Sequence, residues 1–376
     1  MRTFADIPAL LLAVAAAQEG LLSAEQCDRH GVGSARRSRL VRAGRWMAVT
    51  RGVVDTIVVP LRERTVADVP VGALPPLSRS DDAEASRSVR ALRTAHRALS
   101  SADVVLEHRR RRKAWVGMLA FGPAATAVGT NALALHGVEG LPVDLRSEAA
   151  LPHASDRVDR PGALLRQFDD GMTTVPFGDR RTGERQIASV DWAIAQAVPE
   201  LPMAHGLAVL DSALRLEVLD RAGLALAHDH ARGRRGVALR HELWDLADPR
   251  AESALESFGR WGCIEEGVPP DDLQLPVHAP SGRLLGVADM VWHLPGSRLL
   301  VAEMDGRAWH EGDERADHRD RDRDNDFAAD PRIDLLRFDA RHVRARTVGT
   351  QVRAFLGAAR SRVNTGSGSN TGLGSY

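Results

Sequence analysis

The stretch Val287-Ala-Asp-Met-Val-Trp-His-Leu-Pro-Gly-Ser-Arg-Leu-Leu-Val-Ala-Glu-Met-Asp-Gly-Arg-Ala-Trp-His310 decides how this chain is read. Two apolar runs flank Pro295-Gly296-Ser297, a turn signal, so the pattern predicts a β-hairpin. Side chains alternate between the faces of a strand. Leu299, Val301, Glu303 and Asp305 therefore share one face, and Leu300, Ala302 and Met304 the other. Counting back from the turn, Asp289 falls opposite Glu303, so three carboxylates converge on one patch of an otherwise apolar hairpin. Like charges placed this way repel, and each loses water when the sheet is buried. A divalent cation would neutralise them, and hard oxygen ligands suit Mg²⁺ or Mn²⁺. That is the core of a metal-dependent phosphodiesterase site, with Asp289, Glu303 and Asp305 as the expected ligands. The competing reading is that acidic residues near turns are solvated and inert. All three together, with Trp309-His310 directly after, favour the metal site.

Working outward, Ala251–Trp261 reads as a helix, with Glu252 and Glu256 four apart and so on one face. Gln274-Leu-Pro-Val-His278 reads as a strand, followed by a turn at Pro280-Ser-Gly282 and then the hairpin. Glu311–Asp326 alternates acid and arginine, as in a solvated helix or a loop beside the site. Ile333–Phe338 is a last strand and Ala340–Gly357 a closing helix. The order predicts a small mixed sheet flanked by helices. The tail Asn364–Tyr376 is rich in Gly, Ser and Asn and is expected to be disordered.

At the other end, Ile7–Gln18 has a helical pattern. Ser23 is expected to cap a second helix, Ala24–His30, with Gln26 at the capping-box position. After Gly31-Val32-Gly33, Ser34 is expected to cap a third helix, Ala35–Ala43. Trp46–Val49 and Gly52–Val59 follow as short strands. Three helices and a hairpin make the order of a winged helix-turn-helix. The third helix carries Arg36, Arg37, Arg39 and Arg42, with Arg45 and Arg51 after it and no acid among them. Such a face docks on the phosphates of double-stranded DNA; the alternative is a solvated surface helix.

Between these ends, residues 60–88 lose periodicity around four prolines and the run Ser78-Arg-Ser-Asp-Asp82, which suggests a linker. Ala91–Arg112 reads as a helix, ending in the cluster Arg109-Arg-Arg-Arg-Lys113. That cluster either contacts phosphate or ends a helix favourably against its dipole. In the middle region Ala124–His136, Val190–Ala197 and Met203–Leu219 read as helices, with Ala163–Phe168 and Met172–Val175 as strands. His136 and His153 are isolated and read as structural or surface residues.

The chain has 376 residues, no formal net charge and 44% hydrophobic residues, enough for packed cores in two or three domains. With no net field, attraction to nucleic acid has to be local. Lys113 is the only lysine, and arginine cannot act as a general base. Cys27 and Cys263 suggest neither a disulfide framework nor a zinc site, and fit a reducing cytoplasm. Ile7 to Ala17 is too short to span a bilayer and lacks a cleavage pattern, so no membrane association is expected.

Residues 240–358 resemble a domain family related to very-short-patch-repair endonucleases, in the PD-(D/E)XK nuclease superfamily. The resemblance rests on Ser253-Ala-Leu-Glu256-Ser, Gly286-Val-Ala-Asp289-Met-Val-Trp, Val301-Ala-Glu303-Met-Asp305-Gly-Arg-Ala-Trp309-His310 and Asp334-Leu-Leu-Arg-Phe338. It implies that Asp289 and Glu303 bind the metal and that Glu256 faces the same site. Where the superfamily usually has lysine after Glu-x, this chain has Asp305, which could hold a metal or a water, and His310 could act as base or ligand. The first two-thirds resemble AbiEi-type antitoxins of phage-abortive systems, on Gly20-Leu-Leu-Ser-Ala-Glu-Gln, Gly44-Arg-Trp46, Arg51-Gly-Val53 and Ala132-Leu-Ala-Leu-His136-Gly-Val. That resemblance implies a DNA-binding winged helix and a second regulatory or scaffolding domain.

The expectation is therefore a multidomain α/β (α+β) protein of the cytoplasm. Residues 1–60 form a winged helix, 61–113 a linker and helix, 114–235 a middle α+β domain, 236–360 a restriction-endonuclease-like domain and 361–376 a disordered tail. The expected function is Mg²⁺-dependent cleavage of DNA, with Asp289, Glu303, Asp305, Glu256 and His310 in the catalytic site, in phage defence or DNA repair. The alternative is a transcriptional regulator or antitoxin of a type IV toxin–antitoxin system, without catalysis and with a cognate toxin as partner.

Overall fold

A capping box starts the N-terminal module. Helix α1 (Ala9–Ala17) leads into strand β1 (Leu21–Ser23). The Ser23 side chain then accepts from the Gln26 amide, and the Gln26 side chain returns to Ser23, starting α2 (Ala24–Arg29). This reciprocal pairing satisfies two N–H groups that a helix leaves orphaned. Helix α3 (Ser34–Arg42) follows, with Gly33 rather than Ser34 at its N-cap and no side-chain cap. β2 (Met47–Thr50) and β3 (Val53–Asp55) complete the wing. β1 was not expected; it adds a third strand, giving the order β1-β3-β2. Leu11, Leu22, Leu40 and Trp46 fill the core beneath.

In this computed structural model the described residues are 6–70, 101–151, 158–167, 171–305, 327 and 329–366. The expected linker between 71 and 88, the start of the expected helix at Ala91, His153, the 311–326 segment and the last ten residues lie outside them. Described helix resumes as α4 (Ser101–Phe121). β4 (Thr126–Ala127), α5 (Gly129–His136), β5 (Glu148–Ala150), β6 (Leu164–Arg166), β7 (Thr174–Phe177) and β8 (Arg185–Ala188) come next. The five strands form a mixed sheet in the order β6-β5-β4-β8-β7. α4 lies on it through Gly117, where a Cβ would stand 2.6 Å from the Glu148 carbonyl oxygen. α6 (Val190–Ala197) packs against α5 and against a later helix, α8 (Arg221–Ala231), with α7 (Met203–Arg215) between them in sequence. His136 is half-buried, and its Nε2 lies 2.8 Å from the Ala188 carbonyl oxygen, a structural role.

The basic run at 109–113 is half-buried at Arg109 and Lys113 and turned inward between them, within a helix that continues to Phe121. Arg110, Arg111 and Arg112 are buried. Arg111 pairs with Glu19 at 2.6 Å and Arg112 with Asp55 at 2.7 Å. Arg64 also pairs with Asp55, and His108 with Glu19. Buried charges need such partners, because desolvation otherwise costs several kcal/mol per ion. These pairs tie the winged module to α4, whose other half lies on the second sheet. Three expected segments, 1–60, 61–113 and 114–235, are thereby joined in one unit, residues 1–201 and 216–245.

The second unit takes residues 202–215 and 246–376. The expected boundary near 235 is therefore displaced, because α7 belongs to the later unit. After α9 (His241–Leu246), that unit contains α10 (Ala254–Glu265), β9 (Asp272–His278), β10 (Leu284–Leu294), β11 (Arg298–Asp305), β12 (Ile333–Asp339), α11 (Ala340–Arg344) and α12 (Val348–Gly366). The expected single closing helix is broken, with Arg346 at φ 55 between its two parts, and α12 continues to Gly366, into the expected tail. The hairpin turns at Pro295-Gly296-Ser297, where Gly296 and Ser297 both have positive φ. The sheet order is β12-β11-β10-β9, antiparallel except for β11–β12, which run parallel. It is covered on both faces. Met290, Leu300, Ala302, Met304 and Phe338 pack with Cys263 and Val352 on one side, and Val291, Val301, Phe327 and Ile333 form the other core. α10 and α12 touch backbone to backbone, since a Cβ on Gly349 would lie 2.0 Å from the Gly262 carbonyl oxygen.

α7 is fixed to this unit by a buried polar knot. Asp211 is 1% exposed and takes Arg260 Nη2 on both oxygens, at 2.8 and 2.9 Å. It also accepts from Ser257 Oγ at 2.7 Å and from the Asp248 amide at 2.8 Å. Nothing in the local sequence around Asp211 signals a partner 49 residues away. Among the described residues no helix is long and apolar enough to cross a membrane.

Candidate functional site

The carboxylates gather where the hairpin ladder ends. The last paired residues of β10 and β11 are Met290 and Ala302, so the next position sets Asp289 opposite Glu303, as the alternation predicts. There the strands exchange side-chain for backbone pairing. The Met304 amide donates to Asp289 Oδ2 at 2.7 Å, and the Asp289 amide donates weakly to Glu303 Oε1 at 3.4 Å. Glu303 is buried at 4% exposure and Asp289 is half-buried.

A third strand adds a residue whose role the sequence did not signal. Gln274 on β9 lies between the pairs Leu273–Met290 and Leu275–Ala288, hence beside Asp289. Its Nε2 donates to Asp289 Oδ1 at 3.2 Å and to Glu256 Oε2 at 3.0 Å. Gln274 has φ 50, a left-handed conformation that a non-glycine residue adopts at a cost of about 1–3 kcal/mol, and such strain gathers at functional sites. From sequence, Gln274 was legible only as the first residue of a strand.

Glu256 reaches the cluster from the first turn of α10. Ser253 caps that helix by accepting from the Glu256 amide at 3.2 Å, and its hydroxyl donates to Glu256 Oε1 at 2.9 Å. Glu256 Oε2 also accepts from the Glu252 amide at 2.8 Å. Glu252 precedes the cap, so the expected helical pairing of Glu252 with Glu256 on one face does not form; the contact is backbone to side chain. Burial pushes the Glu256 carboxyl up to about 7, with the Asp289 charge adding to the effect against three hydrogen bonds that oppose it.

Asp305 ends β11 and is exposed. Its partner in the parallel ladder is Asp339, whose carboxyl is held low chiefly by Arg341 and also by its bonds to the Arg341 and His342 amides. His310 lies outside the described residues. Among the described residues no group of three or more His, Cys, Asp or Glu side chains is arranged to hold a metal ion. The residues that could hold one are Asp289 and Glu303, hard oxygen donors on neighbouring strands, and their chemistry fits Mg²⁺ or Mn²⁺. A cation there would compete with the Gln274 amide and the Met304 N–H for the Asp289 oxygens.

The expected DNA-binding arginines divide into two groups. Arg37 is turned inward, with a side chain 14% exposed, an ion pair to Asp28 and bonds to the Ala24 and Val32 carbonyl oxygens. It holds the turn between α2 and α3 and is not presented to a ligand. Arg36 is half-buried and donates to the Asp6 carbonyl oxygen at 2.9 Å. Arg39, Arg42, Arg45 and Arg51 are exposed on α3, on the turn after it and at the wing tip. Arg160 donates to the Arg51 carbonyl oxygen at 3.2 Å and so steadies that tip.

No family model matches the chain. Two curated relatives, uncharacterized proteins of Mycobacterium tuberculosis strains CDC 1551 / Oshkosh and ATCC 25618 / H37Rv, are each similar to it, at 35% identity over 193 residues. The match takes in 51% of this chain, which spans 66% of the length of these curated relatives.

Proposed function

We propose that this protein binds double-stranded DNA through its N-terminal winged module and cleaves it with a Mg²⁺- or Mn²⁺-dependent endonuclease-like site in the second unit, in phage defence or DNA repair. The observation that carries this reading is the meeting of Asp289 and Glu303 at the open end of an apolar hairpin. Repulsion and desolvation oppose that arrangement, and a hard cation would offset both. When bound, the cation supplies a water of lowered pKa and neutralises charge at the phosphate. The chain's own part is to hold Asp289 through Gln274 and Met304, and to offer Asp305 as the group that orients the attacking water. The exposed arginines of α3 and the wing support phosphate contact.

The test is plasmid nicking by the full chain with millimolar Mg²⁺ or Mn²⁺. Glu303→Gln and Asp289→Asn should each abolish metal-dependent nicking while leaving DNA binding intact. No metal-dependent nicking by the parent would refute the reading. A second reading is a regulator or type IV antitoxin with a cognate toxin, its second unit acting as a binding platform. One observation favours it: both Asp289 oxygens and both Glu256 oxygens already accept from protein donors, a network that needs no cation. DNA binding without nicking or metal uptake would select it.

A further inference from the structure

The run Asp334-Leu-Leu-Arg-Phe338 carries part of the nuclease resemblance but has no role in the site as proposed above, and the sheet register sets it beside the carboxylates. β11 and β12 run parallel, pairing Leu299 with Ile333, Val301 with Leu335 and Glu303 with Arg337. Neighbours in a ladder project from the same face. Leu299, Val301, Ile333 and Leu335 bear this out, because all four belong to one apolar cluster. One step further along that face the apolar pairs give way to Glu303 beside Arg337. On the other side of Glu303 lies Asp289. The face therefore presents Asp289, Glu303 and Arg337 in one row across three strands. Neighbouring strands are about 4.8 Å apart, which an arginine side chain spans easily. Glu303 is buried whereas Arg337 is exposed, so the row runs from the interior to the open side of the site.

Charge gives this position a task. A phosphodiester brings a negative charge to a patch that already holds Asp289 and Glu303. The only lysine, Lys113, belongs to the other unit. A guanidinium matches phosphate oxygens in a fork and keeps its proton throughout.

Resting on the nuclease reading, we propose that Arg337 is a catalytic residue of this site, donating hydrogen bonds to a non-bridging oxygen of the scissile phosphate. In the hydrolysis the water oxygen bonds to phosphorus and the bond from phosphorus to the leaving sugar oxygen breaks. The water gives up a proton, the leaving oxygen gains one, and Arg337 transfers none. Its contribution is to charge that grows on the phosphate as the reaction proceeds, so it acts on turnover more than on metal uptake.

The experiment compares parent, Arg337→Ala and Arg337→Lys as full chains, measuring Mn²⁺ binding by calorimetry and nicking by kcat and KM. Losing one such donor costs about 10²–10³-fold in rate. Arg337→Ala should therefore lower kcat by about a hundredfold, with Mn²⁺ affinity within threefold of the parent and thermal unfolding unchanged. Arg337→Lys should restore part of the rate. Arg337→Ala nicking within threefold of an active parent overturns the proposal and leaves the nuclease reading standing. So does a loss of Mn²⁺ affinity in Arg337→Ala as large as its loss of rate, which would mark a structural role. If Arg337→Ala fails to fold, the lysine variant decides: a rate equal to that of an inactive Glu303→Gln control overturns the proposal. An inactive parent overturns both readings together.

Discussion

Glu256→Gln should stabilise the protein, and only at neutral and alkaline pH. Burial and the Asp289 charge raise the Glu256 carboxyl from 4.5 to about 7 in the folded state. Each tenfold change in acidity is worth about 1.4 kcal/mol, so the folded state pays about 3 kcal/mol to keep this group ionised. A raised acid contributes its full stability below the unfolded value of 4.5. That stability is lost as pH climbs through about 7. The amide removes the charge and keeps the shape. Its oxygen can accept from the Glu252 N–H and from Gln274 Nε2, and its NH₂ can donate to the Ser253 hydroxyl. Chemical denaturation in chelated buffer should show the variant more stable than the parent by about 2–3 kcal/mol at pH 8. The difference should close by pH 4. Lower stability of the variant at pH 8, or a difference that persists at pH 4, would refute the reasoning.

Two other predictions follow from the fold. Removing the Asp211 carboxylate leaves Arg260 buried without its partner, so Asp211→Ala should cost about 3–5 kcal/mol by denaturant unfolding. For the same reason a fragment starting at 246 should be less stable than one in which residues 202–215 are retained, measured by its thermal midpoint. The exposed arginines give a third test. Arg39→Ala, Arg42→Ala and Arg45→Ala together should weaken duplex DNA binding and flatten its salt dependence by up to about three in the log–log slope, read by fluorescence anisotropy. Arg37→Ala should instead lower stability.

Local pattern was enough for the parts whose geometry is fixed within a few residues. The turn at Pro295-Gly296-Ser297 sets hairpin register, and period-two alternation then sets Asp289 against Glu303. Ser23 and Gln26 form a capping box because both partners lie within one helical turn. The mixed α/β class follows from the same signals. Tertiary structure decided what depends on distant partners. Arg111 and Arg112 stand in a run that reads as phosphate-contacting or helix-ending, but Glu19 and Asp55 reach them only after the chain has folded back. Arg37 sits in the same sequence pattern as Arg39, yet the turn before α3 brings Asp28 to it. α7 joins the second unit through a contact 49 residues away. Gln274 reaches Asp289 and Glu256 only because β9 lies beside β10 and α10 begins nearby. Charge pattern along a chain records which groups are polar. Whether a charge is buried and paired or left for a ligand depends on what the fold sets against it, and that is fixed by long-range packing.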